Sequence, residues 1–572
     1  MANGFGSLYV GSSGLRSAQN ALNVVANNLS NVDTKSYVRQ RTVFEDQSYN
    51  SFGTASVSAQ STGLGVGIGD VIHARDQFLD RAYRTESGRQ AFYAANYDAT
   101  SEVETLLQES TGETFGESIN DLYVAFSEFA KDPSNTTNMN LISQKASLFV
   151  SRSAGVYDGL KDYQANINTK VSDDVDRINE LGDTIHTLNN EIQRIEAGGV
   201  ETAMTLRDQR DAAVDELSSL ANITYGETSD GILKVKLEGV DFVVESRSYS
   251  MGVSADPTTG FYTPYWNQLS NPSKKDYYSV FNLDNIDPTK NTDVGEIKGL
   301  LLSRGNAYST YMDMTGLTSE QYDKTLSNSV MSNSEAELDT LVHTLTTSIN
   351  DLLSPIKNYS GAATTGVDKD GNTVAIDSTT RIFDEANASV GADGVIPTQE
   401  LFSRTGCDRY TKITLADGST VYKYNEEDPK DTSTCYTLNS LKVNQQIVED
   451  VTKIPHMKQN GDVDYALGNN IYQLWETSDY TLNPSDKSPC SIADFYNKMV
   501  GEMATTGSVY KTTSESLTST KASIESNRQA VIGVSSDEEL TNMIKYQNAY
   551  NASSRYMNVV SQMIDYLLSS LQ

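Results

Sequence analysis

Cysteine is almost missing from this chain of 572 residues, where Cys407, Cys435 and Cys490 are the whole supply. Three thiols so scattered cannot build a disulfide framework or a zinc ribbon, although their spacing leaves a Cys407 to Cys435 bridge open. Histidine is as sparse: His73, His186, His343 and His456 stand far apart and none belongs to an HExxH pair, so no metal-hydrolase centre is legible. Basic charge is short too. The 44 Lys and Arg face 76 Asp and Glu, and the net charge of -32 argues against a nucleic-acid groove or an anionic membrane surface as the main partner. No run of about eighteen apolar residues occurs, so neither a spanning helix nor membrane insertion is expected. The opening MANGFGSLYVGSSGLRS has no basic start, no continuous apolar core and no small-residue cleavage site, and is not expected to act as a secretory signal peptide.

Catalytic motifs are missing as well. In GLGVGIGDVIHAR the glycines fall at Gly63, Gly65, Gly67 and Gly69, which never gives the spacing of a pyrophosphate turn; an extended segment packed closely on a neighbour is expected instead. DKDGN at Asp368 begins like a calcium loop, but its twelfth position is Thr379 where a bidentate acid is required, so it reads as a turn. No serine sits in a nucleophile elbow, Cys490 has no neighbouring histidine, and the acid run Asn425 to Asp428 reads as solvated surface. His186 and His343, beside apolar stripes on expected helices, read as structural. No enzyme, no cofactor and no metal are expected.

What the chain does have lies at its ends. Leu8, Leu15, Leu22 and Leu29 recur every seven residues, with Ala18, Val25 and Val32 interleaved, and Met543, Tyr546, Tyr550, Met557, Val560, Ile564, Leu567 and Leu571 repeat that spacing at the far terminus. So narrow a seam cannot fold a helix alone, and each end needs a partner along most of its length. Between the ends, a stripe from Ile167 to Ile195, interrupted at Asp174, closes at Gly198 and Gly199. Leu206, Val214, Leu217 and Leu220 then return as the second arm of a helical hairpin. ILKVKL and FVVES read as short strands, and the Thr/Gly/Asp-rich stretch from Gly361 to about Tyr480 as a second β-rich insertion.

The chain is too long for one core. The expected fold class is an α+β multidomain protein whose long terminal and central helices form a coiled-coil-like stalk carrying two inserted β-rich outer domains. The expected divisions are an N-terminal axial helix and arm, disordered in the monomer (1–60), stalk (61–222), a β-rich insertion (223–294) and stalk again (295–360). There follow the outer β-rich insertion (361–480), a third stalk piece (481–536) and a C-terminal axial helix that pairs with the first on assembly (537–572).

ANNLSNVDTKSYVRQRTVFED, from Ala26 to Asp46, resembles the N-terminal signature of the bacterial flagellar axial proteins: rod, hook and hook-associated proteins. RDQFLDRAYRTES, LRDQRDAAVDELSSLANI, GEIKGLLLSRG and the C-terminal VIGVSSDEELTNMIKYQNAYNASSRYMNVVSQMIDYLL are similar, in order and spacing, to the first hook-associated proteins, the family of the hook-filament junction. One departure is Ser36, where that family commonly places glycine before the tyrosine; it implies a turn of different backbone conformation here.

The resemblance implies a secreted structural adaptor, exported unfolded by the flagellar type III system and assembled as a ring. Its implied partners are hook protein, the third hook-associated protein, an export chaperone on the C-terminal helix, and further copies of itself. Leu15, Leu22, Val25, Leu29, Met557, Val560, Ile564, Leu567 and Leu571 are the expected packing residues, with Tyr546, Tyr550 and Leu568 on the same helix for assembly and chaperone binding. Asn27, Asn28, Asn31, Tyr37, Arg39 and Gln40 are the expected subunit contacts. Two other readings stay open: another axial component, a hook or filament subunit, and a surface adhesin acting through the outer insertion.

Overall fold

A computed structural model describes residues 2–34, 36–47, 50–52, 60–108, 114–198, 202–284 and 286–570. The N-terminal helix α1 (Ala2–Ser30) leads into an arm of four strands, β1 (Gln40–Asp46), β2 (Asn50–Phe52), β3 (Gln60–Thr62) and β4 (Val66–His73). β1 pairs antiparallel with β4, Gln40 opposite His73, and β2 pairs with β3. Gly65, at φ +104°, leads β4 so close to α1 that a Cβ there would overlap the Ser13 hydroxyl. The run from Val66 to His73 is thus a strand of the arm and not stalk, because its pairing with β1 holds it against α1.

The helical body begins with α2 (Gln77–Gln108), α3 (Phe115–Lys131), α4 (Thr136–Glu196) and α5 (Met204–Leu220). A capping box starts α3, Thr114 accepting from the Glu117 N–H while the Glu117 carboxylate accepts from the Thr114 N–H. The 61 residues of α4 span about 90 Å at helical rise. Ile167, Val171, Val175, Ile178, Leu181, Ile185, Leu188 and Ile192 form its buried stripe, and Val175 fills the position that Asp174 interrupts. Burial, then the neighbouring Glu296 carboxylate, pushes the Asp174 carboxyl up to about 6. α5 folds back along α4 with Val214, Leu217 and Leu220 inward; of the glycine pair expected to end α4, Gly199 lies outside the described residues.

The first insertion follows the period-two pattern of its sequence. β5 (Ile223–Glu227), β6 (Leu233–Leu237) and β7 (Val240–Val243) make an antiparallel sheet, with Leu233, Val235 and Leu237 inward, and β8 (Met251–Ala255) pairs with β9 (Tyr262–Trp266). The Phe242 ring lies so close to Gly182 of α4 that a Cβ there would stand 2.5 Å from it.

Helices α6 (Glu296–Arg304), α7 (Tyr311–Met314), α8 (Ser319–Thr325) and α9 (Val330–Leu353) rebuild the body. α9 is enclosed on all sides at its start, so Glu335, Glu337 and Asp339 are all buried. Each finds donors: Ser309 N–H for Glu335, Asn333 and Asn483 amides for Glu337, Tyr311 and Leu438 N–H for Asp339. Burial nevertheless pushes Glu335 and Glu337 up to about 8, with the Glu502 carboxylate adding to the rise at Glu337. The folded chain therefore keeps protons that unfolded glutamates release near 4.5, and stability falls as pH climbs from about 4.5 to about 8, then levels. We expect the urea midpoint to drop across that window and Glu337→Gln to flatten the drop. A Glu337→Gln variant whose midpoint follows pH with the wild-type slope would refute the assignment.

The second insertion holds a six-stranded antiparallel sheet in the order β10 (Ile356–Asn358), β13 (Arg381–Phe383), β16 (Thr420–Tyr424), β15 (Tyr410–Leu415), β11 (Thr364–Val367), β12 (Thr373–Ile376). DKDGN is the turn between β11 and β12, the Asp368 carboxylate accepting from the Asp370 and Asn372 N–H groups. β14 (Phe402–Arg404) pairs with β17 (Leu441–Val443), and α10 (Gln445–Glu449) follows. Cys407, Cys435 and Cys490 are free thiols. Residues up to 480 do not all stay in this insertion. α11 (Tyr465–Gln473) returns to the body and packs on α3, where Gly468 permits a Cβ-free approach to Ala130. α12 (Ile492–Ile532) then runs beside α2, and α13 (Ser536–Ser570) ends the described chain against α1.

Candidate functional site: the paired termini and their joint to the stalk

α1 and α13 lie antiparallel, and their line of closest approach is made of small residues. A Cβ on Gly11 would stand 2.7 Å from the Met557 sulfur, and one on Gly14 would stand 2.9 Å from the Ser553 hydroxyl. Ala18, Ala21 and Val25 of α1 are buried as well, and Val560 is the buried apolar residue of α13 among the described residues. The heptad leucines Leu15, Leu22 and Leu29 are half buried, less enclosed than Gly11, Ala18 and Ala21. Sequence spacing alone marks the bulky stripe; which stripe meets a partner depends on how near the backbones come.

On α13, Tyr546, Tyr550, Met557 and Ile564 are half buried, and the Tyr546 ring rests 5.8 Å from that of Phe44. Leu567 and Leu568 are exposed at 58% and 59%, where α13 reaches past the start of α1. Leu571 lies outside the described residues. Leu540, Ile544, Val559, Met563 and Tyr566 are exposed as well, so the pair has a closed small-residue interior and an open apolar exterior.

The amide-rich motif after α1 is an internal clasp. Asn28 is buried, its Oδ1 accepting from the Tyr37 hydroxyl at 2.8 Å and the Gln40 N–H at 3.0 Å. Its Nδ2 donates to the Gln40 carbonyl at 2.9 Å and to the buried Glu539 carboxylate at 3.2 Å. Arg39 completes the link: its N–H donates to the Ile532 carbonyl at 2.8 Å and its guanidinium pairs with Glu538 at 2.6 Å and Glu539 at 2.8 Å. Asn28 and Gln40, expected to face other subunits, are thus enclosed within the chain, because a short amide can satisfy a strand backbone on both its donor and acceptor sides. Asn27 and Asn31 bond each other across one helical turn, with Asn27 exposed. Ser36 sits at φ +67°, so the turn keeps a conformation that suits glycine and serine bears it. The expectation of a different backbone there is corrected.

Below the clasp, the arm meets the stalk at Asp208, within LRDQRD. Its carboxylate accepts from the Val38 N–H at 3.1 Å, and His73 Nε2 lies 3.3 Å from the other oxygen. Burial pushes Asp208 up to about 7, against the Val38 N–H and Arg75, which pull it down. Burial, then Arg75 and Arg207, pulls His73 down to about 4, so the imidazole is neutral at neutral pH. Next to it, Arg75 pairs with Asp80 and Asp211, Arg84 with Asp211 and Asp215, and Arg528 with Asp80 at 2.7 Å and Asp215 at 2.6 Å. Three cations and three carboxylates tie α2, α5 and α12 together where the arm leaves them. Nothing local in the sequence marks Asp208 and Glu539, since acids at helix starts look like solvated ends until tertiary structure buries them. Among the described residues no His, Cys, Asp and Glu group could hold a metal ion. The arrangement is chemically a set of clamps.

Three family models match this chain in the order of its parts. The flagella basal body rod protein model matches residues 8–37, the helical domain of flagellar hook-associated protein FlgK residues 100–367, and the C-terminal model of the flagellar basal body rod FlgEFG proteins residues 530–570. Flagellar hook-associated protein 1 of Bacillus subtilis (strain 168) is 23% identical, the alignment covering 97% of this chain and 96% of that protein. Flagellar hook-associated protein 1 of Escherichia coli (strain K12) is 22% identical over 97% of this chain and 98% of that protein. The solved structure of the flagellar hook junction protein FlgK from Burkholderia pseudomallei aligns at 13% identity and a TM-score of 0.48 over 79% of this chain and 100% of that one, a likeness too slight to add to the assignment. The axial models fall on α1 with its clasp and on α13, and the helical model on the stalk; with full-length relatives on both sides, the chain belongs to the flagellar hook-associated protein 1 family, structural components of the extracellular bacterial flagellum.

Proposed function

We propose that this protein is the adaptor ring between hook and filament. The observation that carries the reading is the α1/α13 pair, closed inside by Gly11, Gly14, Ala18 and Ala21 yet apolar outside at Leu540, Ile544, Val559, Met563 and Leu567. An isolated pair so exposed gains little from burial, and its order increases when copies pack side by side. Neighbouring copies, hook protein below and the third hook-associated protein above cover those faces. Before assembly the chain crosses the flagellar type III export system unfolded, with a chaperone on the apolar face of α13 that ends in Leu567 and Leu568. The role is structural, without catalysis.

Electron microscopy of isolated hooks incubated with the purified protein tests the reading. Rings confined to hook ends are expected. Long tubes grown from the protein alone would instead make it a hook-type or filament-type subunit.

A further inference from the structure

Phe78 stands apart from the other phenylalanines. It is 76% exposed, whereas no other described phenylalanine exceeds 41%. It stands in the first turn of α2 on a firm mount: the Asp76 carboxylate accepts from its N–H at 2.8 Å, and the nearby Arg75 is tied to Asp80 and Asp211. One turn further on the same face, Arg81 is exposed and pairs with no acid among the described residues. An aromatic ring and a free cation are thus held side by side at the surface, where the ring adds nothing to the core of its own chain.

A groove of about 800 Å³ lies where α5 meets the end of α4 and the arm. Ile68 and Val71 of β4, Ile195 of α4 and Leu206 of α5 give it apolar walls that are only partly covered. Asp70 stands exposed at its rim; its carboxylate accepts from the adjacent Val71 N–H and meets no cation among the described residues. None of the described lining residues is Lys, Arg or His. Knob and groove stand at nearly one height, since Arg75 grips α5 at Asp211, five residues or about 8 Å at helical rise beyond Leu206. Phe78 of the same chain does not line this groove.

The two surfaces match in kind: an apolar ring beside a cation, and apolar walls beside an unpaired acid. We propose that Phe78 and Arg81 of one copy enter this groove on the next copy, with the ring among Ile68, Val71 and Ile195 and the guanidinium on Asp70. This contact rests on the ring reading above and gives that ring its lateral joint. Because knob and groove are different patches of one chain, they meet head to tail, and repetition closes into a ring where the rotation allows it; a self-complementary patch would stop at a pair. Charge supports a copy as the occupant. Copies that each carry a net charge of -32 repel, and an Arg81–Asp70 pair around a buried aromatic anchor opposes that repulsion while fixing the register.

Cross-linking tests the contact. Full-length protein carrying Arg81→Cys, Asp70→Cys and Cys407→Ser keeps only Cys435 and Cys490 besides the new thiols, and both of those are buried. After assembly on isolated hooks, a short bismaleimide should link successive copies into a ladder on a denaturing gel. Unassembled protein, or either new cysteine alone, should give no ladder. Phe78→Ser should raise the concentration needed for half-maximal assembly by at least about tenfold with an unchanged urea midpoint, because the side chain is exposed. Asp70→Arg should impair assembly as well, and Arg81→Asp in the same chain should restore it. Assembly without a ladder, or Phe78→Ser assembling at the wild-type concentration, overturns the contact whatever the form of the assembly. Tubes in place of rings at hook ends would remove the junction reading, and a ladder within those tubes would still uphold the contact.

Discussion

Cells whose copy of this protein carries Gly11→Leu with Gly14→Leu are expected to lose filament attachment and swimming, while the purified variant keeps the main unfolding transition of its stalk. The two glycines sit where α1 and α13 approach most closely, at 2.7 Å from the Met557 sulfur and 2.9 Å from the Ser553 hydroxyl once a Cβ is added. Alanine at these two positions asks small shifts of the flexible Met557, the Tyr556 ring and the Ser553 hydroxyl. Leucine asks the helices to separate, and separation withdraws Ala18, Ala21 and Val25 from their partner along the whole seam. The stalk transition should stay within about 0.5 kcal/mol because its core shares no side chain with that seam. Moving the bulk across the interface checks the cause: Met557→Ala should restore part of the function of Gly11→Leu. Normal swimming in the double leucine strain would show that the close approach of the two helices is not needed for assembly.

Arg528→Met is expected to cost about 3–5 kcal/mol, the usual consequence of removing one member of a buried ionic group and leaving the others uncompensated. Arg528 is enclosed between α2, α5 and α12, its guanidinium 2.7 Å from Asp80, 2.6 Å from Asp215 and 3.4 Å from Glu525. Arg75 and Arg84 cannot replace it, being already engaged with Asp211 and with the same two aspartates. The measurement is the urea midpoint of the stalk. Adding Asp80→Asn and Asp215→Asn to Arg528→Met should recover much of the loss, since neutral amides carry no charge to strand. A loss below about 1 kcal/mol for the single variant would mean that water, and not the arginine, satisfies those carboxylates.

Much of this architecture could be read from the order of residues. The three/four spacing from Ile167 to Ile192 names the buried face of α4, and alternation at Leu233, Val235 and Leu237 names that of β6. Both are legible because local geometry sets which residues share a face, and that face is repeated along one segment. The second insertion was less legible. Its sheet orders β10 beside β13 and β11 beside β15, and pairings between strands far apart in sequence leave no periodic mark. Nor did anything local announce that α11 would leave that insertion and dock on α3.

The ends divide the same way. By itself the sequence determined that both termini are helical and apolar on a narrow face and that they carry the blocks of a flagellar axial protein. Only the tertiary structure decided that Gly11, Ala18 and Ala21 are more enclosed than the heptad leucines where α1 meets α13, and that Asn28 clasps Gln40, Tyr37 and Glu539 inside the chain. The physical reason is distance. Spacing tells which side chains lie on one face of a helix, whereas which face becomes interior depends on how close a second backbone, more than five hundred residues away, is able to come.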